Sequence, residues 1–150
     1  FNGLVVAAGY GTRIGRPKAT LECGGKPLVE KAALTLLAAG CNGVVAVVGP
    51  DWKYWRFKRD IFEYIVTNSE PKSGQGSSVL LGANAAVNTK TMVILPVDSS
   101  LVSMDTVKRL IEIAAENPDK IVKPVYNGRG GHPMIIPARM LLSNSEILLE

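Results

Sequence analysis

A glycine-rich, basic segment at residues 9–18 carries the strongest chemical signal in this sequence. It follows an apolar run and reads GYGTRIGRPK, with glycines at positions 9, 11 and 15. A glycine-rich turn that leaves a buried strand lets backbone N–H groups approach an anion, because glycine adopts positive φ angles without a Cβ clash. Arg13, Arg16 and Lys18 add three cations that can bind phosphate through charge-assisted hydrogen bonds. The segment is therefore better suited to a triphosphate than to a neutral ligand.

Two familiar phosphate-binding motifs do not describe this segment. The dinucleotide fingerprint G-x-G-x-x-G requires a third glycine where Ile14 stands, and no acidic residue ends a second strand about twenty residues further on. The P-loop motif requires a serine or threonine after its lysine, whereas GGKP at residues 24–27 has Pro27 there. Two interpretations of Arg13 and Lys18 stay open: a triphosphate site, or a solvated basic loop.

Two further residues, Asp98 and His132, could take part in chemistry. Asp98 follows the apolar run MVILPV, and a carboxylate at a strand end can hold Mg²⁺ beside a triphosphate. The alternative is an aspartate that forms a turn or caps the following helix. His132 is the only histidine, so a Ser-His-Asp or Cys-His mechanism would have to use it. The glycines before His132 and the proline after it favour a histidine in a turn.

Two other segments mix residue types that can bind ligands. SGQGSS at residues 73–78 could begin a helix, or its amides and hydroxyls could bind a ribose or a base. WKYWRFKR at residues 52–59 interleaves aromatic and basic side chains, as some nucleic-acid-binding surfaces do. Trp52 and Trp55 are spaced i, i+3, however, which favours an amphipathic helix that packs its aromatic side chains on a sheet.

Composition limits the class of protein. The chain has 150 residues, of which 47% are hydrophobic and 20% charged, and this suits one globular domain with a hydrophobic core. The net charge of +4 favours an anionic ligand. Cys23 and Cys41 match no C-x-x-C pattern and are expected to be reduced structural thiols. There is no apolar span of about eighteen residues and no signal peptide, so we expect a cytoplasmic protein that does not bind membranes.

The apolar pattern alternates between strands and helices along the chain. Short apolar runs predict strands at 4–8, 43–49, 63–67, 92–97, 121–126 and 132–137. Helical spacing predicts helices around 29–37, 51–60, 76–87 and 104–114, with Gly40 ending the first and Ser103 capping the last. This alternation predicts a three-layer α/β/α sandwich with a mostly parallel, Rossmann-like central sheet. Ligands of such sheets bind at the carboxyl ends of the strands, where the candidate residues lie.

Four segments, in this order, resemble the MobA-like nucleotidyltransferases. VAAGYGTRIGRPK resembles the family's apolar strand, Ala-Ala-Gly or Ala-Gly-Gly turn, Arg-Met-Gly and lysine, and NSEPKSGQGSSVLLG is similar to its N-x-x-x-x-x-G-x-x-x-S segment. VILPVDSSLV resembles the strand that ends in a metal-binding aspartate, and PVYNGRGGHPMII resembles the G-x-x-G-H-P turn. The Ala-Ala-Gly form is similar to the cytidylyltransferase (MocA-like) branch, whereas Ala-Gly-Gly is more typical of the guanylyltransferase branch.

The resemblance implies a fold, a reaction and a set of site residues. The fold is that of the nucleotide-diphospho-sugar transferases, and the reaction transfers CMP from CTP (or GMP from GTP) to a phosphorylated acceptor with release of pyrophosphate. In the MocA-like branch the acceptor is the molybdopterin form of the molybdenum cofactor. Mg²⁺ would be held by Asp98. The implied residues are Ala7, Ala8, Gly9, Gly11, Thr12, Arg13, Lys18, Asn68, Gly74 and Ser78 for the nucleotide, Lys18, Arg13 and Asp98 for catalysis, and Gly131, His132 and Pro133 for the acceptor.

The resemblance also implies an acidic segment near the C-terminus that supplies a second metal ligand. After Asp119 the acidic residues are Glu146 and Glu150, which lack that context. We therefore expect residues 1–150 to form a single MobA-like NTP transferase domain that is truncated at its C-terminal end. Three functions stay open: a cytidylyltransferase acting on molybdopterin, a related CTP- or GTP-dependent enzyme with a sugar phosphate or another acceptor, and a nucleotide-binding module without turnover. A nucleic-acid partner is not expected.

Overall fold

A five-stranded, mostly parallel sheet forms the centre of the molecule. The computed structural model describes residues 1–143. These residues form the strands β1 (Asn2–Ala7), β2 (Glu22–Cys23), β3 (Lys26–Pro27), β4 (Val44–Val48), β5 (Tyr64–Thr67), β6 (Thr91–Pro96), β7 (Val125–Tyr126), β8 (Arg129–Gly130) and β9 (Met134–Pro137). In the central sheet, strands β5, β4, β1, β6 and β9 lie side by side in that order; the first four are parallel, and β9 is antiparallel to β6. Two small antiparallel pairs, β2–β3 and β7–β8, lie outside this sheet.

In the described part of the chain, four α-helices cover both faces of the sheet: α1 (Leu28–Ala38), α2 (Gln75–Ala85), α3 (Met104–Glu116) and α4 (Ala138–Ser143). Buried side chains of α1 and α3 form one core cluster with alternate residues of the strands, and those of α2 and α4 form a second cluster with the intervening residues. Because successive strand residues point to opposite faces, the two clusters lie on the two sides of the sheet. The predicted three-layer α/β/α sandwich is confirmed. None of the helices within residues 1–143 combines the length and the apolar character that a membrane span requires.

Local sequence signals set the ends of α1 and α3. Gly40 follows α1 with a φ of 109°, a conformation that favours glycine, and its N–H donates a hydrogen bond to Leu37 O. At the start of α3, Ser103 Oγ accepts a hydrogen bond from Thr106 N at 3.1 Å. The structure confirms both predicted signals.

The predicted helix over residues 51–60 is wrong. The chain forms two separate 3₁₀ turns there, Trp52–Tyr54 and Arg59–Ile61, each followed by extended backbone. The Trp52 side chain packs on the core, as expected, and its Nε1 donates a hydrogen bond to Thr67 Oγ1 at 2.9 Å. These tertiary contacts are made from a loop, and they override the helical spacing of the aromatic residues.

The predicted strand over residues 121–126 is shorter in the structure. Val125–Tyr126 pair with β8, and Val122 makes an isolated bridge to Ile135. The intervening Pro124 has no N–H to donate, so it cannot contribute a donor to a continuous ladder. The segment folds back on itself as a two-stranded ribbon at the β9 edge of the sheet.

Helix α2 approaches the sheet closely at Gly82, and this contact is testable. A Cβ at position 82 would overlap with Leu4 Cδ1 and lie 3.0 Å from Val47 Cγ2, and both of these side chains are fully buried. We expect Gly82→Ala to lower the free energy of unfolding by about 1–3 kcal/mol, because overpacking outweighs the helix propensity that alanine adds. Chemical denaturation measures the difference.

The control for this experiment is Asn84→Ala on the exposed side of α2, which we expect to change the free energy of unfolding by no more than about 0.5 kcal/mol. A Gly82→Ala variant as stable as the wild type would show that α2 can move away from the sheet without cost.

Candidate active site

A cavity of about 450 Å³ opens at the carboxyl edge of the parallel strands. Three segments line it: the loop that follows β1, the residues that lead into α2, and the end of β6. They are distant in sequence and meet because β1 and β6 are neighbouring parallel strands. The lining residues are Val6, Ala8, Gly9, Gly11, Thr12, Arg13, Ile14, Lys18, Pro71, Gly74, Gln75, Ser78, Pro96, Val97 and Asp98.

The glycine-rich loop folds back on itself at Gly11. The φ angle of Gly11 is 62°, and its carbonyl oxygen accepts a hydrogen bond from Ile14 N at 3.0 Å. A Cβ at position 11 would overlap with the carbonyl oxygen of Arg16. Glycine is therefore required here for both the backbone angle and the space. The result is a compact turn in which residues 11–14 all reach the cavity.

Lys18 and Asp98 form an ion pair on the cavity, with 2.9 Å between Lys18 Nζ and Asp98 Oδ2. Each residue belongs to a 3₁₀ turn that a buried neighbour anchors, Ala19 for Lys18 and Val97 for Asp98. The two side chains are 45% and 58% exposed. Such an exposed pair contributes only about 0–1 kcal/mol to stability. A ligand can therefore separate Lys18 from Asp98 at little cost.

Asp98 is the one carboxylate residue on the described lining of the cavity. Across residues 1–143, no group of three or more His, Cys, Asp or Glu side chains is placed to hold a metal ion. A single carboxylate fits a Mg²⁺ ion that is shared with phosphates, because Mg²⁺ commonly uses one or two carboxylates together with substrate phosphates and water. It does not fit a metal ion held by protein groups alone. Glu146 and Glu150 lie outside the described residues.

Asn68 lies outside the cavity lining and hydrogen-bonds to the first turn of α2, which forms part of that lining. It is buried, and its Nδ2 donates hydrogen bonds to Ser77 Oγ at 3.1 Å and Ser78 Oγ at 2.9 Å. Its Oδ1 accepts a hydrogen bond from Glu70 N at 2.9 Å. These bonds fix the first turn of α2, where Ser78 lines the cavity. Asn68 therefore positions Ser78 and does not itself reach the cavity.

Most of the nucleotide-binding residues that the sequence predicts lie together. Ala7 does not line the cavity, because it points into the core on the α1 and α3 face while Ala8 points to the opposite face. Three of the lining residues that the sequence analysis did not predict could have been found from it. Val6 lies on the same strand face as Ala8, and Pro96 and Val97 lie at the carboxyl end of a strand, where ligands of such sheets bind. The lining residues that were not predicted are Val6, Ile14, Pro71, Gln75, Pro96 and Val97. The predicted residues that line the cavity are Ala8, Gly9, Gly11, Thr12, Arg13, Lys18, Gly74, Ser78 and Asp98.

The predicted acceptor turn, Gly131, His132 and Pro133, is not part of the cavity lining. It directly precedes β9, which is antiparallel to β6 with Met134 beside Ile94, so the turn lies at the same edge of the sheet as Asp98. His132 is partly buried, and its Nδ1 has no hydrogen-bond partner in the described part of the chain. Burial lowers the pKa of His132 below its ordinary value, so the imidazole is mainly neutral at pH 7.

Comparisons with known proteins agree on one family. The model of the MobA-like NTP transferase domain matches residues 3–149. Nicotine blue oxidoreductase of Paenarthrobacter nicotinovorans is 40% identical over 146 residues, which cover 91% of this chain and 70% of that protein.

Solved structures share the fold. Rv0371c from Mycobacterium tuberculosis H37Rv matches with a TM-score of 0.79 and 20% identity, covering 95% of this chain and 74% of that chain. Its complex with manganese matches with a TM-score of 0.70 and 18% identity, covering 95% and 73%. Francisella tularensis 2-C-methyl-D-erythritol 4-phosphate cytidylyltransferase matches with a TM-score of 0.68 and 14% identity, covering 97% and 76%. The fold is that of the nucleotide-diphospho-sugar transferases, and with the match over residues 3–149 the chain belongs to the MobA-like NTP transferase family.

Proposed function

We propose that this chain is a Mg²⁺-dependent nucleotidyltransferase that transfers CMP from CTP to a phosphorylated acceptor, the molybdopterin form of the molybdenum cofactor, and releases pyrophosphate. The observation that carries the proposal is the 2.9 Å contact between Lys18 and Asp98 on the cavity. It places a cation for phosphate oxygens beside a carboxylate for a metal ion. Family membership supports nucleotidyl transfer, and the Ala-Ala-Gly turn supports CTP and the molybdopterin acceptor.

The triphosphate is held by the glycine-rich loop. Backbone N–H groups of residues 8–13 approach its oxygens, and the side chains of Arg13 and Lys18 neutralise part of its charge. Asp98 holds Mg²⁺, which when bound supplies further charge neutralisation at the phosphates. The manganese complex of Rv0371c, a protein with the same fold, supports a divalent cation.

The reaction requires no protein nucleophile. An oxygen of the acceptor's terminal phosphate attacks the α-phosphorus in line, the bond from the α-phosphorus to the bridging oxygen breaks, and pyrophosphate leaves with the electrons of that bond. Positioning and charge stabilisation account for most of this kind of catalysis. The described lining of the cavity agrees with such chemistry: its charged side chains are Arg13, Lys18 and Asp98, and it contains neither histidine nor cysteine.

A second candidate function is an oxidation–reduction reaction. The observation that favours it is the 40% identity with nicotine blue oxidoreductase. In that case the cavity would hold the nucleotide part of a reduced cofactor, which would transfer hydride to an organic acceptor. The lack of a dinucleotide fingerprint in residues 9–18 favours nucleotidyl transfer. The two functions differ in a measurable product, pyrophosphate or oxidised cofactor.

The first test concerns the base. We expect Mg²⁺·CTP to bind more tightly than Mg²⁺·GTP, because Ala8 lines the cavity where the guanylyltransferase branch has glycine, and its methyl group narrows the base-side wall. Ala8→Gly should reduce this preference. Isothermal titration calorimetry with both nucleotides measures it. Ala7→Gly is the matched control, because Ala7 is equally buried but does not line the cavity. Tighter binding of GTP by the wild type would contradict the assignment.

The second test concerns the phosphate contact. Lys18→Ala should change the free energy of unfolding by no more than about 0.5 kcal/mol, because the side chain is exposed. It should weaken the binding of Mg²⁺·CTP by about 1.5–3 kcal/mol, the value of a charge-assisted hydrogen bond. Calorimetry on the folded variant gives the affinity. Arg16→Ala removes a cation from the same loop but off the cavity, and it should bind CTP as the wild type does. If Lys18→Ala and Arg16→Ala bound Mg²⁺·CTP equally well, residues 9–18 would be better interpreted as a solvated basic loop.

The third test separates the two candidate functions. Asp98→Asn should lower metal-dependent pyrophosphate release by about 10²-fold or more, because it removes preorganised charge at the reacting phosphates. Asp51→Asn, an exposed change away from the cavity, should leave the rate unchanged. Pyrophosphate release from CTP and oxidation of reduced nicotinamide cofactor are measured side by side. Cofactor oxidation without pyrophosphate release would overturn nucleotidyl transfer in favour of the oxidoreductase.

A further inference from the structure

The two-stranded ribbon at residues 122–131 is an ordered element. It is held by the pairing of β7 with β8 and by a hydrogen bond from Gly131 N to Pro124 O at 2.9 Å. Asn127 and Gly128 at its tip have φ angles of 49° and 75°. Two successive residues with positive φ are typical of the tight turn that matches the twist of paired strands. The ribbon therefore presents its side chains in a defined arrangement.

The ribbon extends from the edge of the sheet that carries the cavity. Val122 bridges to Ile135, which pairs with Val93 inside β6. Because β9 is antiparallel to β6, the residues that precede β9 lie towards the carboxyl end of β6, where Asp98 follows. The ribbon and the nucleotide cavity therefore lie at the same end of the sheet, the one that holds the carboxyl ends of the parallel strands.

Lys123 lies on the α2 side of the sheet, to which part of the cavity lining belongs. Val122 packs against the core cluster on the α1 and α3 side. Successive residues of extended chain point to opposite faces, so Lys123 is on the α2 side. Val6, Ala8 and Ser78, which line the cavity, belong to that side.

The Lys123 side chain lies across Gly130. A Cβ at position 130 would be 2.9 Å from Lys123 Nζ, 3.1 Å from its Cε and 3.2 Å from its Cδ. The lack of a side chain at Gly130 thus leaves the space that the lysine occupies. The ammonium group therefore lies beside residue 130, which directly precedes the turn Gly131–Pro133. In that turn, His132 Nδ1 has no hydrogen-bond partner in the described part of the chain.

The carboxylate nearest to Lys123 in sequence, Asp119, is paired with Arg139. Residues 120–143 contain four basic side chains and no acidic one. Lys123 is exposed and takes part in none of the ion pairs formed within residues 1–143. Lys123 is therefore a cation that no ion pair within residues 1–143 neutralises, and a phosphate can bind such a group through charge-assisted hydrogen bonds.

We propose that Lys123 binds a phosphate group of the second substrate. This inference rests on the proposed function for the identity of the anion, since nucleotidyl transfer requires an acceptor phosphate near the α-phosphorus of CTP. The ribbon supplies the cation, and the adjoining turn at residues 131–133 lies beside the same substrate.

The experiment titrates inorganic phosphate into the ¹⁵N-labelled full chain and follows the amide signals by NMR. The titration is done twice, once with saturating Mg²⁺ and a non-hydrolysable CTP analogue and once without them. When the analogue is present it fills the triphosphate site, so inorganic phosphate cannot bind there. In both cases we expect the amides of Gly130, Gly131 and His132 to shift. Lys123→Met should weaken the apparent phosphate affinity at these amides by about tenfold or more, the loss expected for one charge-assisted contact.

Two variants complete the design. Gly130→Ala should weaken the phosphate affinity less than Lys123→Met does, because the exposed lysine side chain is flexible and can move away from the new methyl while it keeps its charge. The φ of Gly130 lies outside the left-handed region, so alanine fits the backbone. Lys120→Met, which removes an exposed cation just before the ribbon, should bind phosphate as the wild type does. Absence of shifts at residues 130–132, or equal affinities of Lys123→Met and the wild type, overturns the inference. Failure of the proposed function would appear separately, as a CTP analogue that leaves residues 9–18 unshifted.

Discussion

The pairing of β1 with β6 is the constraint on which the site depends. Val6 pairs with Pro96, so the chain leaves both strands at the same edge of the sheet. Lys18 and Asp98 are 80 positions apart in sequence and meet because each follows one of these strands. Neither residue belongs to a long regular element, and each is fixed by a buried neighbour in a short 3₁₀ turn. A shift of β1 relative to β6 would therefore separate the cation from the carboxylate while leaving both local turns intact.

The parts of the fold that the sequence predicts are those with independent local signals. β4 is a continuous apolar run, and all of its residues are buried, as expected for a strand covered on both faces. Gly40 and Ser103 mark helix ends through backbone chemistry that acts within one turn. The loop at residues 51–60 lacks such a signal. The spacing of its tryptophans is the same whether they pack from a helix or from a loop. The hydrogen bond from Trp52 Nε1 to Thr67 Oγ1, which holds Trp52 in the loop conformation, joins residues that only the fold brings together.

The sequence predicts the glycine and charged residues of the candidate site better than it predicts the neutral polar and apolar ones. Gly11 is found because the backbone itself demands glycine, and Asp98 is found because it is a charge at a strand end. The role of Asn68 could not be predicted. A sequence pattern does not distinguish a polar side chain that faces a ligand from one that faces a neighbouring hydroxyl, and Asn68 faces Ser77 and Ser78. Apolar lining residues such as Pro71 carry no chemical signal and emerge only from the way the three segments meet.

The exposure of the Lys18–Asp98 pair matters for the proposed function, in which each of the two residues binds a different ligand. Removing one partner from a buried pair costs about 3–5 kcal/mol, because it leaves an uncompensated charge. The pair here is about half exposed, so each member can exchange its partner at low cost. In the proposed function Lys18 passes from a carboxylate to a phosphate and Asp98 passes from an ammonium to a metal ion, so both charges stay matched throughout. In the proposed function, the single carboxylate on the described lining would bind the ion together with oxygens of the nucleotide and of water, as is common for Mg²⁺.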